Sequence, residues 1–322
     1  KLHYEYTPDD PFYDREVLRK KMSFDNPYGK EWRWLVLLNN EKKSTIGYVY
    51  LSVIINASPE YEDNKHIAWS YIIVDKEFRR NGIGTDLVKL IMPKLKEYKR
   101  TTIQAWNEYD SGKEFSKHLG GTLAYRNNEN RLKFDEINWI KMENWVKDGK
   151  RGAKGVKIKT FEEVPEDIIE EYAQIFTETA NQAPLEDLEG KDVVTPELIR
   201  HHEAMQNNAG TILVTKISVE ADGKISGLTE IQYNPREPYV IYQELTGVKK
   251  EYRGKGLGKM LKADMLLLIR DRYPNIDHIR TGNATINEPM LAINHGMGYK
   301  ESKRYETYKF KIDDLEKLLS NP

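Results

Sequence analysis

An arginine followed by glycines at one fixed spacing occurs twice in this chain, each time between the same two kinds of neighbour. In the second half, Glu244 to Ile269 reads ELTGVKKEYRGKGLGKMLKADMLLLI. A run of strand formers ends at Val248, and Arg253, Gly254, Gly256 and Gly258 then crowd into six residues. Beyond them Leu257, Met260, Leu261, Met265 and Leu268 recur at three- and four-residue steps, the period of one buried helix face. In the first half, Ile72 to Leu95 reads IIVDKEFRRNGIGTDLVKLIMPKL, with Arg79, Gly82 and Gly84 at the same spacing. There too an apolar strand ends, at Val74, and an amphipathic helix follows with Ile83, Leu87, Leu90 and Ile91. A strand, a glycine turn and a helix start make an anion cradle. Backbone N–H groups converge, the helix dipole adds positive potential, and glycine lets an anion approach where a Cβ would block it. Two copies in matching contexts predict an internally duplicated chain.

The 322 residues suit two domains rather than one core. A net charge of −1 with 31% charged residues gives no sign of a nucleic-acid or membrane partner. No apolar run approaches the roughly 20 residues of a membrane span, and the N-terminus shows no signal-peptide core. The chain has no cysteine, which removes thiolate metal sites and a cysteine nucleophile and fits a reducing cytoplasm.

Read in order, the first half offers a short strand at Leu2–Tyr6, a charged helix at Pro11–Met22, and strands at Trp32–Leu38, Ile46–Ile55 and His66–Val74. After the cradle helix come a strand at Thr101–Trp106, a helix at Ser111–Leu119 and a closing hairpin from Leu123–Tyr125 and Arg131–Phe134. Residues 136–155 read as a short helical bridge and a basic, glycine-bearing linker, KDGKRGAKG. The linker would divide a first domain, 1–135, from a second, 156–322. The second half repeats the order. It has a strand at Val156–Phe161, a helix at Glu166–Thr179 and another from Thr195-Pro196-Glu197. A hairpin turns about Ala221-Asp222-Gly223, and Val240–Val248 leads into the cradle. A strand at His278–Thr281, a helix at Glu288–His295, two closing strands from Tyr299 and a last helix at Asp313–Leu319 complete it.

This order, with R-x-x-G-x-G between the fourth strand and the next helix, resembles the GCN5-related N-acetyltransferase (GNAT) superfamily over nearly the whole chain. The second copy is the closer match, because Asn283, Asn287 and the Met297-Gly298-Tyr299 ending resemble the family's N…N…LGF pattern. Tandem members of the mycothiol-synthase type look most similar. The resemblance implies an α/β (α+β) chain of two GNAT-like domains, each a mixed, mostly antiparallel sheet flanked by helices. It also implies acetyl-coenzyme A, with pyrophosphate on Arg253 to Gly258 and pantetheine along the strand ending at Val248. Arg253 and Lys255 can add charge-assisted contacts. Leu257, Gly254, Asn283 and Asn287 complete the expected cofactor set, with either cofactor positioning or helix capping open to the two asparagines. Val74, Arg79, Gly82 and Gly84 form a weaker first-half set.

Acetyl transfer to an amine needs a base, since the amine is mostly protonated near neutral pH. In the family pattern the base often lies on the strand before the cradle. Alternation there puts Tyr242, Glu244, Thr246 and Val248 on one face. Glu244 is the expected base, with Tyr242 beside it, and the matching first-half positions, Ala68, Ser70 and Ile72, accept no proton. The first domain is therefore expected to be a degenerate, catalytically silent copy. Many family members carry a tyrosine acid seven residues after the asparagine matched by Asn287. Here Asn294 stands there, able to donate to a departing sulfur but not to protonate it, and Ser116 stands near the corresponding first-half position.

The acidic stretch Glu186, Asp187, Glu189 and Asp192 reads either as an attractor for a cationic amine or as a solvated loop. His201-His202 reads as a helix-surface pair rather than a metal site, and most of the 20 tyrosines and six tryptophans as packing. The expected function is acetyl transfer to a primary amine of a small molecule, with a cationic acceptor left open. A non-catalytic acyl-coenzyme A-binding or sensor protein is the alternative. A kinase-type nucleotide site is disfavoured, as neither cradle ends in Lys-Ser/Thr. Oligomeric state leaves no mark in the residues.

Overall fold

The computed structural model describes residues 13–320. The first half comprises α1 (Arg15–Ser23), β1 (Gly29–Leu37), β2 (Thr45–Ile54), α2 (Tyr61–Asn64), β3 (Ile67–Val74), α3 (Ile83–Glu97), β4 (Thr102–Asn107), α4 (Asp110–His118) and β5 (Thr122–Lys133). Then come α5 (Trp139–Gly152), β6 (Lys157–Phe161), α6 (Ile169–Ala180), α7 (Pro196–Asn208), β7 (Ile212–Val219), β8 (Ile225–Tyr233) and β9 (Val240–Val248). The chain finishes with α8 (Leu257–Arg272), β10 (His278–Ala284), α9 (Glu288–Met297), β11 (Lys300–Lys311) and α10 (Ile312–Ser320). The strand expected at Leu2–Tyr6 lies outside the described residues. Local signals hold where they were strong. Asp14 caps α1 by accepting from the N–H groups of Glu16 and Val17 at 2.9 and 3.0 Å, and the Thr195 hydroxyl accepts from Leu198 N–H at the start of α7.

All strands join one eleven-stranded sheet in the order β1-β2-β3-β4-β11-β5-β10-β9-β8-β7-β6. Among the described strands only β3 with β4 and β9 with β10 run parallel. The order shows that the closing strands are exchanged. β11, from the C-terminal end, pairs with β4 of the first half, while β5 pairs with β10 of the second. The exchanged pair is itself zipped together from Thr122↔Lys309 to Arg131↔Lys300. A cut within residues 136–155 therefore severs the chain without separating the sheet.

Two expectations fail here for a shared reason. The closing hairpin is one twelve-residue strand, β5, and the two strands after Tyr299 are one strand, β11. The run Asn127-Asn128-Glu129-Asn130 has turn chemistry. Inside the sheet, however, both edges of the backbone are paired, and Asn128 donates to Glu301 at 2.6 Å. Tertiary pairing overrides local preference. The expected linker is likewise helical as far as Gly152. Its glycines serve close packing rather than a break. A Cβ on Gly149 would sit 2.5 Å from Met260 of α8, and one on Gly152 would sit 2.9 Å from the Lys255 carbonyl. The helix thus braces the second cradle from behind.

Apolar layers cover both faces of the sheet. In the first half α3 packs Leu87, Val88, Ile91 and Leu95 on Val49, Leu51 and Ile103, whereas Leu90, expected on that face, is exposed. In the second half α8 and α5 cover one face, with Met265, Ile269 and Met142 against Ile231 and Ile241. The opposite face is covered by α6 and α7, with Tyr172, Ile175 and Ile199 against Ile217 and Leu228.

Candidate active site

Both cradles form as expected, with the same hinge. Gly82 and Gly256 precede α3 and α8 at φ 81° and 79°, in the left-handed region that glycine enters without strain. The position two residues earlier differs: Gly254 sits at φ 82°, and its first-half counterpart is Arg80 at φ 63°. The arginines brace the corner. Arg79 Nε donates to the Val74 carbonyl at 3.1 Å, and Arg253 Nε to the Val248 carbonyl at 3.2 Å. Arg79 also donates to Ser111 at 3.0 Å, and Arg253 to the side-chain carbonyl of Gln182. These bonds tie the strand end to the helix start, a structural duty that the spacing alone does not reveal. Lys255 lies over the Tyr252 ring at 5.3 Å. Leu257 is buried, and Gly258 lies under Ile293 and Val248, where a Cβ would make ordinary contacts at 3.5 and 3.8 Å.

In front of each cradle the parallel strands part. β9 pairs with β10 only from Val240↔His278 to Tyr242↔Arg280, which leaves the edge from Gln243 to Gly247 without a strand partner. β3 and β4 stay together from Ile67↔Thr102 to Ser70↔Ala105 and then separate. Unpaired backbone groups at a strand edge suit amide-bearing ligands. Open glycine N–H groups, a free edge and Arg253 together fit a pantetheine pyrophosphate such as coenzyme A carries. In the first half the gap is bridged by Tyr71 stacked on Trp106, ring centres 4.5 Å apart and ring planes nearly parallel. A cavity of about 290 Å³ there is lined by Tyr71, Arg79, Gly82, Trp106, Glu108 and Tyr109.

The halves differ most in the strand that enters the cradle. β3 pairs with β2 in unbroken register, from Ser52↔Trp69 to Gly47↔Val74. β9 carries one extra residue against β8: Thr229 faces Thr246, but Ile231 faces Gln243. This β-bulge at Glu244 and Leu245 breaks the alternation on which the face assignment rested. Gln243 and Thr246 share the α8 face, both bonded to the Thr229 hydroxyl at 3.1 and 2.7 Å. Leu245 and Gly247 face α6, Leu245 in its apolar cluster and Gly247 against Thr179. Thr246 therefore does not share a face with Glu244 in the way strict alternation requires. Counted through the bulge, the first-half partner of Tyr242 is Trp69 rather than Ala68.

Glu244 is solvent-accessible yet surrounded by protein, as at the floor of a cleft. This desolvation pushes its carboxyl above the usual range, and the Lys21 ammonium of α1 partly opposes the rise. Burial likewise holds the Tyr242 hydroxyl protonated. Opposite the bulge stands Glu230, which sequence reasoning missed. It accepts from the Tyr172 hydroxyl of α6 and from Thr215 at 3.2 Å, and burial pushes its carboxyl up to about 7. Its signal was a lone carboxylate in an otherwise uncharged strand, ISGLTEIQY. Glu108 was also missed. It brings a carboxylate to the first-half cavity from β4's end rather than from β3, paired with Lys303 at 3.3 Å.

Asn294 lies elsewhere than its expected role requires. Its side chain is fully buried and its amide donates to Asn283 at 2.6 Å, so it cannot meet a departing sulfur. Asn283 is occupied by that bond, and Asn287 caps α9 by accepting from Met290 N–H at 3.4 Å. The first half repeats the strand-to-helix bond, Asn107 donating to Ser116 at 3.1 Å. In the acidic stretch Glu186, Asp187 and Asp192 are exposed, as in a solvated loop, but Glu189 is committed to bonds. Glu189 bonds His66 at 3.0 Å and Lys309 at 2.7 Å, and the Glu189 carbonyl accepts from Gln104 at 2.8 Å. It straps the halves together. His201 packs between Phe24 and Tyr28, and the described residues hold no metal-type cluster of side chains. No helix among them is long and apolar enough to cross a membrane.

Known proteins share this architecture. A tandem GNAT protein from the clavulanic acid biosynthesis pathway superposes with a TM-score of 0.74 at 20% identity, over 97% of this chain and 92% of that one. A GCN5-related N-acetyltransferase from Sphaerobacter thermophilus gives 0.64 at 16% identity, over 97% and 90%. A glucosamine N-acetyltransferase region of a fungal multi-domain β-N-acetylglucosaminidase gives 0.66 at 11% identity, over 96% of this chain and 36% of that one. At these identities the likeness concerns fold. A search of curated protein sequences returns no match. The profile of the Acetyltransferase (GNAT) family matches residues 2–113 and again 166–289, more than half of the chain. The chain thus belongs to the GNAT acetyltransferase family, as a tandem member.

Proposed function

We propose that this protein is an acetyl-coenzyme A-dependent N-acetyltransferase for a primary amine of a small molecule, with the second half as the working site. The observation that carries this reading is the β9 bulge. It sets Glu244 at the unpaired strand edge ahead of the 253–258 cradle, within the influence of Lys21 from α1. When bound, acetyl-coenzyme A supplies a thioester carbonyl that an unprotonated amine can attack with release of the thiol. Glu244 takes the proton from the incoming ammonium, and its raised affinity for protons brings it nearer to that task than an ordinary surface glutamate. Gly254, Gly256, Arg253 and Lys255 would hold the pyrophosphate, and the Gln243–Gly247 edge the pantetheine amides. With Asn294 committed to Asn283, the thiolate takes its proton from water.

The first-half cradle is read as a second coenzyme-binding site without turnover, because β3 lacks the bulge residue. A thiol-release assay over an amine panel tests the proposal. Wild-type turnover should rise with pH through an acid limb above the ordinary carboxylate range. Glu244→Gln should lose that limb and roughly 10²–10⁴-fold of kcat/KM while keeping coenzyme A affinity. Full turnover in Glu244→Gln would remove the base. Coenzyme binding without thiol release on any amine would favour a sensor.

A further inference from the structure

Between the halves lies a cavity of about 460 Å³, separate from either cradle. One wall is the first half's sheet, presenting Tyr50 and Trp69; the other is α6, β7 and β8, presenting Tyr172, Phe176 and Glu230. We propose that this cavity is the acceptor pocket and that it takes a hydrophobic primary amine, one ammonium on an aryl or branched-alkyl body. The inference rests on the acetyl-transfer reading and narrows its substrate class.

Three features converge on that ligand. The volume is that of small-molecule sites. The strap runs along its edge, where Val193 N–H donates to Glu60 of the lining. The charge is that of a monocation's partner. Of the five carboxylates on the lining, Glu31, Glu162 and Glu203 are ion-paired with Arg33, Arg272 and Arg200. Glu60 accepts from Val193 N–H at 3.3 Å, and Lys30 is the lining's one Lys or Arg, offsetting one further charge. That leaves one carboxyl without a cationic partner: Glu230, held only by the hydroxyls of Tyr172 and Thr215 and lying across the bulge from Glu244. An ammonium placed beside it favours its ionised form over the proton it otherwise holds up to about pH 7. The walls, finally, are aromatic. Ring faces accept an apolar body and an ammonium alike, whereas a second ammonium would meet only carboxylates already bonded to an arginine or a backbone N–H.

Calorimetric titration of the full chain without acetyl-coenzyme A, using 2-phenylethylamine and spermidine as probes, tests this directly. 2-Phenylethylamine should bind, roughly tenfold or more weaker in Glu230→Gln and about fivefold weaker in Trp69→Ala, and spermidine should bind the wild type more weakly than 2-phenylethylamine does. Thermal melts and retained coenzyme A binding establish that both variants are folded. Equal or tighter spermidine binding, no 2-phenylethylamine binding, or indifference to both substitutions would overturn the pocket. Thiol release separates this failure from that of the underlying reading. Turnover of a polyamine with KM unmoved by Glu230→Gln discards the pocket and leaves acetyl transfer standing. Glu230-dependent amine binding with no thiol release does the reverse.

Discussion

The two halves share a cradle, a corner-bracing arginine, a parting of parallel strands and a buried strand-to-helix bond, and they differ most by one residue in one strand. β3 has eight residues where β9 has nine, and the extra one falls at the bulge that carries Glu244. A duplicated scaffold can thus keep its binding geometry in both copies while a single insertion decides which copy presents a carboxylate. The first half closes the same gap with the Tyr71–Trp106 stack instead. Carboxylate chemistry reaches its cavity only sideways, through Glu108.

The broadest way to break the comparison is to separate the halves. A chain ending before Lys300 lacks β11, so β4 and β5 lose the strand between them. It should fail to fold cooperatively in either half, as read by circular dichroism and limited proteolysis. Fragments cut near residue 138 should fold only when mixed. An autonomously folded fragment would show that the exchange is dispensable.

Next comes the bulge itself. Deleting Glu244 to give β9 the register of β3 should lower kcat/KM for thiol release by roughly 10²–10⁴-fold, with coenzyme A binding retained. Glu108→Gln in the first half should change turnover less than threefold, a roughly 0.6 kcal/mol ceiling. Comparable losses from both would make the halves joint contributors.

The third prediction concerns pH. The folded-state pKa of Glu230, about 7, lies above its reference value of 4.5. The folded protein therefore binds the extra proton, and this contribution is complete below pH 4.5 and lost as pH rises through 7. Glu230→Gln should flatten that decline by on the order of 2 kcal/mol, allowing for partial exposure. Urea melts at pH 5 and pH 8 (chosen to bracket roughly that window) measure it. An unchanged difference between those melts would mean that Glu230 titrates normally.

The smallest effect tests the cradles against each other. Arg80 holds a left-handed conformation that Gly254 holds without strain, and its exposed ion pair with Glu114 at 2.8 Å adds little. Arg80→Gly should stabilise the protein by about 1 kcal/mol, and Gly254→Arg should destabilise it by about as much. Urea midpoints resolve both. A destabilised Arg80→Gly would assign Arg80 a contact worth more than its strain.

Much of this architecture was legible because it is local. The repeated Arg-x-x-Gly-x-Gly marked both cradles, Thr195-Pro196 marked a helix start, and Ala221-Asp222-Gly223 marked the turn between β7 and β8. What escaped is non-local or a single residue wide. Nothing in β5 or β11 says which half each joins, since antiparallel pairing has no address code in either sequence. The asparagines of β5 spoke for a turn until two flanking strands satisfied their backbone. The glycines of KDGKRG spoke for a break until α8 approached close enough to need them. The bulge was hidden because period-two alternation assumes the register it was used to infer, so Thr246 was assigned the wrong company. Asn294 was placed correctly along the chain, but its burial against Asn283 was not foreseeable from spacing.

Strand exchange also bears on how the molecule comes into being. Synthesis runs from the N-terminus, and domains usually fold in the order in which they emerge. Here the strand that sits beside β4 in the middle of the sheet follows every other described strand in the chain and so emerges after them. The first half must wait on the ribosome with that position vacant and its flanking strand edges bare, through the whole of the second half's synthesis. Its aromatic face, Tyr50, Tyr71 and Trp106, is exposed for the same interval. Expression yield, and the demand placed on chaperones, should therefore depend on how quickly β11 follows the other strands rather than on the stability of the folded sheet.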